Sequence, residues 1–331
     1  MGANSSEYHA QTIERGHPDF AVSPSALKLF ANCASKWRSG FQPAETKTKK
    51  WGNLLDCLVL TPDQFKARYV VQPETYTSAK GEVKPWSNNA KACKEWAEDY
   101  ESEGIEVISF ETHKKASAAV MRLRADETIR NFIDSSEKQV WVAGEWHDEA
   151  TGLVIPVRCL IDLVANLETE FAKCLGDLKS TRSASIASFN RDAWKFGYYI
   201  QAAFDLDLYR AARPEEDRMT WCLIVSENIE PWQTAKRMME DCPNEPTNLI
   251  DLGRLTYKRL LQNYCVCLKT GVWPDYEQQA ENDPHFRNYI AQGWFAMHAE
   301  PWMADLPIKF EFSGESDTDT EAEVEVEDVP H

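Results

Sequence analysis

Gly176-Asp177-Leu178-Lys179 closes a short apolar segment, 171–178, with an Asp and a Lys two residues apart. Upstream, Leu160-Ile161-Asp162-Leu163-Val164 is a second apolar segment with one acid inside it. Both read as strands. Alternate residues of a strand point to the same side, so Asp177 and Lys179 share a face. An Asp on one strand, a second Asp on its neighbour and a Lys two residues on can meet at one point. Two carboxylates suit a hard divalent cation such as Mg2+. A nearby ammonium orients or deprotonates a water and offsets phosphate charge. Together these are the minimum for metal-assisted phosphodiester hydrolysis. A solitary Asp-x-Lys is ordinary surface charge on a strand. The order Glu145, Asp162, Asp177-x-Lys179, on strand-like segments and followed by a long helix, is far more specific.

Working outward, strands are expected over 139–146, 154–164 and 171–178, a helix over 186–212, strands over 218–225 and 232–238, and a long helix over 248–268 closed by Trp273-Pro274. This is an α/β pattern with a mixed central sheet flanked by helices. Toward the N-terminus, Ser23 is placed to cap a helix with Pro24 in its first turn. Ala26, Leu27, Leu29, Phe30 and Cys33 give that helix an apolar face, and Lys36, Trp37 and Arg38 follow. Lys47, Lys49 and Lys50 form a basic patch ahead of a buried helix over 52–60, which ends near Thr61-Pro62. Residues 69–87 read as irregular, 88–103 as an amphipathic helix, 105–108 as a strand, and 112–125 and 128–133 as helices. The expected organisation is a flexible segment 1–20 and a single domain 21–312. Within that domain, a helical part spans about 21–135 and a catalytic core about 136–280. An acidic tail, 313–331, is expected to be disordered.

The 331 residues suffice for a large core, and 43% of them are hydrophobic. No apolar run is long enough to span a bilayer, and the first residues lack the basic-then-apolar pattern of a signal peptide. A cytoplasmic location is therefore expected. The 9 Cys include no C-x-x-C pair, only Cys265 and Cys267 as C-x-C, so they read as reduced core residues. The 7 His show no ligand spacing. The net charge is −17, and the eight acids between Glu315 and Asp328 leave −9 on the rest. Any contact with nucleic acid must then use a localised basic lining, while an acidic exterior discourages non-specific adhesion.

The ordered motifs resemble the PD-(D/E)xK nuclease superfamily, and more closely the phage and prophage exonuclease VIII (RecE-type) group. Residues 23–33 resemble that group's opening helix. Gly52 to Phe65 resembles its Gly-x-x-x-His-x-x-x-Leu-x-Pro-x-x-Phe element. Glu145, Asp162 and Asp177-Leu178-Lys179 resemble its metal core, Phe196 to Phe204 its Gly-Tyr-x-x-Gln helix, and Gly271 to Tyr276 its closing element. The likeness runs from about residue 21 to 280. Two positions depart from the pattern: Asp56 stands where the group has His, and Asp205 where it has an aromatic.

The resemblance implies a restriction-endonuclease-like core and a Mg2+-dependent enzyme, with Mn2+ as a substitute. It implies resection of linear duplex DNA from the 5′ end to leave a 3′ overhang, a single-strand annealing protein as partner, and a homo-oligomeric ring. Asp162 and Asp177 would be metal ligands, with the Leu178 carbonyl completing the shell and Lys179 orienting the attacking water. Glu145 is a further ligand candidate. Asp56 is either an outer ligand or a buried acid. Gln201 would hold the water or a phosphate oxygen, or is a core amide. Arg182, Ser183 and Ser185 would bind phosphate at a helix start or merely cap it. Arg38, Lys49 and Lys50 would meet the DNA end or are solvated charges, and Tyr198 joins the DNA-facing set. Two other readings remain open. One is an endonuclease or Cas4-like end-processing nuclease on the same core; the other is a catalytically weakened DNA-binding or interaction module.

Overall fold

The computed structural model describes residues 12–165, 174–216, 218, 220–242, 248–282, 290–291 and 294–295. The chain divides into two compact units, Met1–Gln279 and Ala280–His331. The boundary falls inside the span 21–312 expected as one domain. In the second unit, Ile290–Ala291 pairs antiparallel with Trp294–Phe295. The acidic tail lies outside the described residues.

The first unit is built on a five-stranded sheet of β5 (Ser136–Asp148), β6 (Leu153–Ala165), β7 (Cys174–Thr181), β8 (Thr220–Glu227) and β9 (Thr234–Glu240). The strands lie side by side in chain order, and only β7 and β8 are parallel. A parallel pair needs a crossover. Here α8 (Ile186–Lys195) and α9 (Tyr198–Ala212) supply it. The result is the mixed central α/β sheet that the sequence pattern leads one to expect, in the restriction-endonuclease-like form that the resemblance implies.

Helices cover both faces. On one, α1 (Pro24–Asn32), α9 and α10 (Leu249–Thr270) bring Leu27, Phe30, Phe204 and Tyr264 against Val142, Val157, Leu175 and Trp221. On the other, α3 (Lys47–Leu60), α6 (Phe110–Ala125) and α7 (Glu127–Ser135) bring Leu55, Leu123 and Ile133 against Leu163, Leu178 and Ile224. The period-2 alternation of β7 thus sends Leu175 to the α9 side and Leu178 to the α3 side. The remaining elements are α2 (Ala34–Arg38), α4 (Phe65–Arg68), β1 (Tyr69–Val71), β2 (Thr75–Thr77), β3 (Val83–Pro85), α5 (Lys91–Ser102), β4 (Glu106–Ile108) and α11 (Tyr276–Asn282).

Several boundaries differ from the sequence reading for local reasons. The single helix expected over 186–212 is two, because Gly197 takes a left-handed conformation with φ 62°. That is a low-cost corner for glycine alone. The helix expected from Gly52 starts at Lys47, because Thr46 caps it, its Oγ1 accepting from Lys49 N at 3.1 Å. The basic patch is therefore the first turn of α3 rather than a preceding loop. Residues 69–87 contain β1, β2 and β3, three-residue strands too short for a periodicity signal. The strand expected from Arg218 starts at Thr220, and the one expected from Trp232 starts at Thr234. Residues 171–173 of the expected strand 171–178 lie outside the described residues.

Candidate active site

β6 and β7 pair at Leu163–Gly176 and Val164–Leu175. Asp162 and Asp177 would form the next pair, but there the strands part. The backbone N–H of Leu178 turns to a side chain instead, donating to Asp162 Oδ2 at 3.0 Å. A buried amide needs an acceptor, and here a carboxylate replaces the missing ladder partner. The other oxygen, Oδ1, accepts from Gln139 Nε2 at 3.0 Å. Gln139 lies opposite Asp162 on β5, between the pairs Lys138–Leu163 and Val140–Ile161, with φ 54°. A left-handed glutamine is strained by about 1 kcal/mol or more, and such strain gathers at functional sites. Gln139 is absent from the residues singled out by sequence. A positive φ leaves no mark in the residue pattern, so only the register reveals it.

Asp177 is 4% exposed. Its Oδ1 accepts from Gln201 Nε2 at 2.9 Å, and its Oδ2 forms an ion pair with Lys179 Nζ. Gln201 is in the first turn of α9, so the Gly197 corner decides where its amide points. One turn later Asp205 is 2% exposed and bonded to Cys159 on β6, beneath the site rather than in it. Burial first, then the charge of Asp177, pushes the Asp205 carboxyl well above its ordinary value.

The site opens into a cleft of about 2110 Å3 lined by Asp56, Leu178, Lys179, Ser180 and Tyr198 among others. Asp56 reaches it from α3, which crosses β7 closely enough that a Cβ on Gly52 would sit 3.3 Å from Ser180 Oγ. Burial, followed by the charge of Asp162, raises the Asp56 carboxyl well above its ordinary value. Asp162 is pushed up to about 7 by burial and then by Asp177. For Lys179, burial favours the neutral amine, but the charges of Asp177 and Asp162 outweigh it and hold the ammonium well above its ordinary range. In this arrangement Lys179 is held by the two carboxylates as an ammonium partner of Asp177.

A second cation, unmarked by the sequence reading, faces the same group. Lys28 of α1 packs its stem 3.1 Å from where a Cβ on Gly197 would be, with its ammonium 5.8 Å from the centre of the Tyr198 ring. Lys179 Nζ is 5.2 Å from the same ring. Burial and then the charge of Lys179 lower Lys28 to about 8. The parallel bridge between Val22 and Val157 fixes the start of α1 beside β6 and so places Lys28.

Among the described residues, no group of three or more His, Cys, Asp or Glu side chains is arranged to hold a metal. The chemistry of the donors nevertheless suits a hard cation. Asp56, Asp162 and Asp177 are enclosed acids; burial raises Asp56 and Asp162, and the charges of Asp162 and Asp177 add to it at Asp56, that of Asp177 at Asp162. That is the condition a divalent ion relieves.

The other expected site residues are placed as follows. The structure takes Glu145 away from the group. It pairs with Pro156 on β6, six residues or about 20 Å along the strand from Asp162, and its exposed carboxylate lies 3.4 Å from His147. Leu178 meets Asp162 through its amide. Lys50 pairs with Glu106 at 2.9 Å and Glu45 at 3.7 Å and is not among the residues lining the cleft. Lys49 and Arg38 line the cleft, the latter with its guanidinium 5.8 Å from the Trp273 ring. Arg182 is exposed outside the cleft lining. Ser183 and Ser185 bond to each other at 3.1 Å, and the N–H of Ala184 between them donates to Glu227 Oε1 at 2.8 Å. Glu227 thus takes one amide of this turn, just ahead of the first turn of α8. Tyr198 lines the cleft against both ammonium groups.

A family model described as a PDDEXK-like domain of unknown function (DUF3799) matches residues 23–283. No curated protein matches the chain. Among solved structures, it is similar to a "Putative exonuclease" from Eubacterium rectale, at 16% identity and TM-score 0.48, over 92% of this chain and 97% of that one. It is also similar to a phage related exonuclease from Haemophilus somnus 129PT, at 11% identity and TM-score 0.32, over 77% of this chain and 97% of that one. Neither likeness is strong enough to bear on the fold or the activity.

Proposed function

Because the chain belongs to the PDDEXK-like domain family DUF3799, we propose that it is a divalent-metal-dependent deoxyribonuclease that resects linear duplex DNA, 5′ to 3′, leaving a 3′ overhang for a single-strand annealing protein. The observation that carries this reading is the parting of β6 and β7, where Asp177 contacts Lys179 and Gln201 directly, Asp162 is held by the neighbouring Leu178 amide, and Asp56 lines the same cleft. The direction of resection, the annealing partner and a ring assembly rest on the resemblance of the ordered motifs.

Asp162, Asp177 and Asp56 would hold the cation, Mg2+ by preference for hard oxygen ligands. When bound, it supplies charge stabilisation at the phosphoryl oxygens and a more acidic water. The chain's own residues do the rest. Lys179 keeps its charge and lies where negative charge grows on the phosphorane. Gln201 fixes the rotamer of Asp177 and has its second amide hydrogen available for a water or phosphate oxygen. Gln139 and the Leu178 amide lock Asp162. Tyr198 screens the inner cleft from solvent beside both ammonium groups.

One observation favours a second reading, a DNA-binding module with little hydrolysis. All four carboxylate oxygens of Asp162 and Asp177 are already engaged by Leu178, Gln139, Gln201 and Lys179. Linear duplexes labelled at the 5′ or the 3′ end, and closed circular duplex, incubated with Mg2+, Ca2+ or EDTA, separate the readings. Release of 5′ label from linear DNA with Mg2+ alone supports the exonuclease. Cleavage of the circle would make it an endonuclease, and binding without cleavage in Mg2+ would make it a module.

A further inference from the structure

The corner between α8 and α9 aims Gln201 at Asp177, but two rings on it, Trp194 and Phe196, have no part in that task. Trp194 and Phe196 are 55% and 50% exposed, and both lie on the rim of the cleft that holds Lys179. Large aromatic side chains are usually well buried, so two exposed rings on one rim are informative. Neither ring is loose. Trp194 stacks on Tyr199 with centroids 5.0 Å apart and planes at 13°, and Phe196 lies 6.1 Å from Tyr198 at 30°. The backbone beneath is pinned: Phe196 N donates to Asp192 O at 2.8 Å and Gly197 N to Trp194 O at 3.1 Å. Trp194 is thus backed on one face by Tyr199, Phe196 is steadied by its neighbour Tyr198, and both line the cleft.

The surroundings are cationic. Lys195 Nζ lies 5.7 Å from the Phe196 ring. Lys28 has no ion pair or hydrogen bond among the described residues, and its ammonium sits over Tyr198, next to Phe196. Flat rings on one rim, with ammonium groups beside them, match the two parts of a nucleotide: a base to stack and a phosphate to neutralise. An apolar protein surface would match the rings and leave the ammonium groups desolvated and unpaired.

We propose that the α8–α9 corner is a stacking subsite for an unpaired nucleotide of single-stranded DNA, its base on the exposed faces of Trp194 and Phe196 and its phosphate at Lys28. The proposal rests on the reading of the cleft as a DNA-cleaving site and says where the strand runs once it leaves the duplex.

The test uses the full chain carrying Asp177→Ala, so that DNA is not consumed, and oligonucleotides with 2-aminopurine at an unpaired terminal position. Binding should quench the fluorophore. Adding Trp194→Ala and Phe196→Ala together should abolish most of the quenching and weaken single-strand binding about tenfold, with duplex binding changed less than twofold. Trp194→Tyr with Phe196→Tyr should restore quenching and guards against a folding defect, as does an unchanged melting temperature. Full quenching in the alanine double variant overturns the proposal while leaving the nuclease reading intact, as does an equal loss for single strands and duplex. A fall in molar mass by light scattering in that variant also overturns it, since the rings would then pack between copies of the chain. No DNA binding by the parent protein removes both readings together.

Discussion

At the residue scale, Asp162 has two tasks that pull against each other. It takes the place of a backbone carbonyl for Leu178, which favours a fixed carboxylate, and it sits among other acids, which disfavours its charge. The second effect dominates, since its carboxyl is raised from 3.8 to about 7 by burial and Asp177. A raised carboxyl binds its proton more tightly in the folded chain than in the unfolded one. Between pH 3.8 and about 7 the native state therefore holds more protons, and stability falls as pH rises through that window. Metal-free protein, melted in urea with EDTA, should lose on the order of a few kcal/mol from pH 4 to pH 7 through this group. Asp162→Asn should flatten the profile, and an unchanged slope would show that the carboxylates do not repel. Lys28 works in the opposite sense: lowered from 10.5 to about 8, it adds stability as pH rises between those values. For Asp56, exchange to Asn should lower turnover and raise the Mg2+ concentration at half-maximal rate; a wild-type Mg2+ titration would make Asp56 purely structural. Asp177 and Lys179 were legible from sequence because a strand's period of two puts them on one face. Gln139 and Lys28 were not, since one depends on a left-handed backbone and the other on a helix more than a hundred residues away.

At the element scale, the packing of α9 on α10 controls where Gln201 sits. The two helices approach so closely at Gly253 that a Cβ there would lie 2.1 Å from the backbone oxygen of Tyr199. Backbone cannot step aside as a side chain can, so Gly253→Ala should cost about 3 kcal/mol in a denaturation experiment. By tilting α9 it should also lower DNA cleavage more than it lowers stability at 25 °C. Gly197→Ala meets a softer obstacle, Lys28 Cδ and Ile200 Cδ1 at 3.1 Å, together with an unfavourable φ, and should cost about 1–2 kcal/mol. Long elements were readable because their apolar periodicity persists: α10 over 22 residues, capped by Asn248 and ended by Gly271, hardly differs from its expected span. The three-residue strands β1 to β3 are held by their partners and not by their own pattern, which is why 69–87 read as irregular. The break between α8 and α9 was written in Gly197, but a lone glycine inside a helical pattern signals either a tolerated defect or a corner, and packing decides which.

At the scale of the whole molecule, the mixed character of the sheet was legible from the succession of strands and helices, whereas the order of its strands, which follow one another with one crossover, is set by pairing that the pattern does not show. Among the described residues, no helix is long and apolar enough to cross a membrane. The charge of −17 makes the acidic run after Phe312 the natural element to remove: deleting 313–331 should leave activity on saturating DNA unchanged and strengthen salt-sensitive, non-specific DNA binding. Loss of activity on truncation would give the tail a direct part in the reaction. The sheet itself is unevenly joined. β5 with β6 and β7 with β8 are laced along their length, whereas β6 meets β7 at Leu163–Gly176 and Val164–Leu175. Beyond that short seam the halves are tied by side chains, Asp162 to Leu178 at one end and Arg218 to Ala165 O and Cys174 O at the other. The Leu178 amide should therefore exchange with deuterium faster than its β8-bonded neighbours, and faster again in Asp162→Ala. The candidate site lies at the end of this short seam of described pairs. Whatever bridges Asp162 and Asp177 becomes a rivet across it, so a cation there would toughen the protein mechanically as well as arm it.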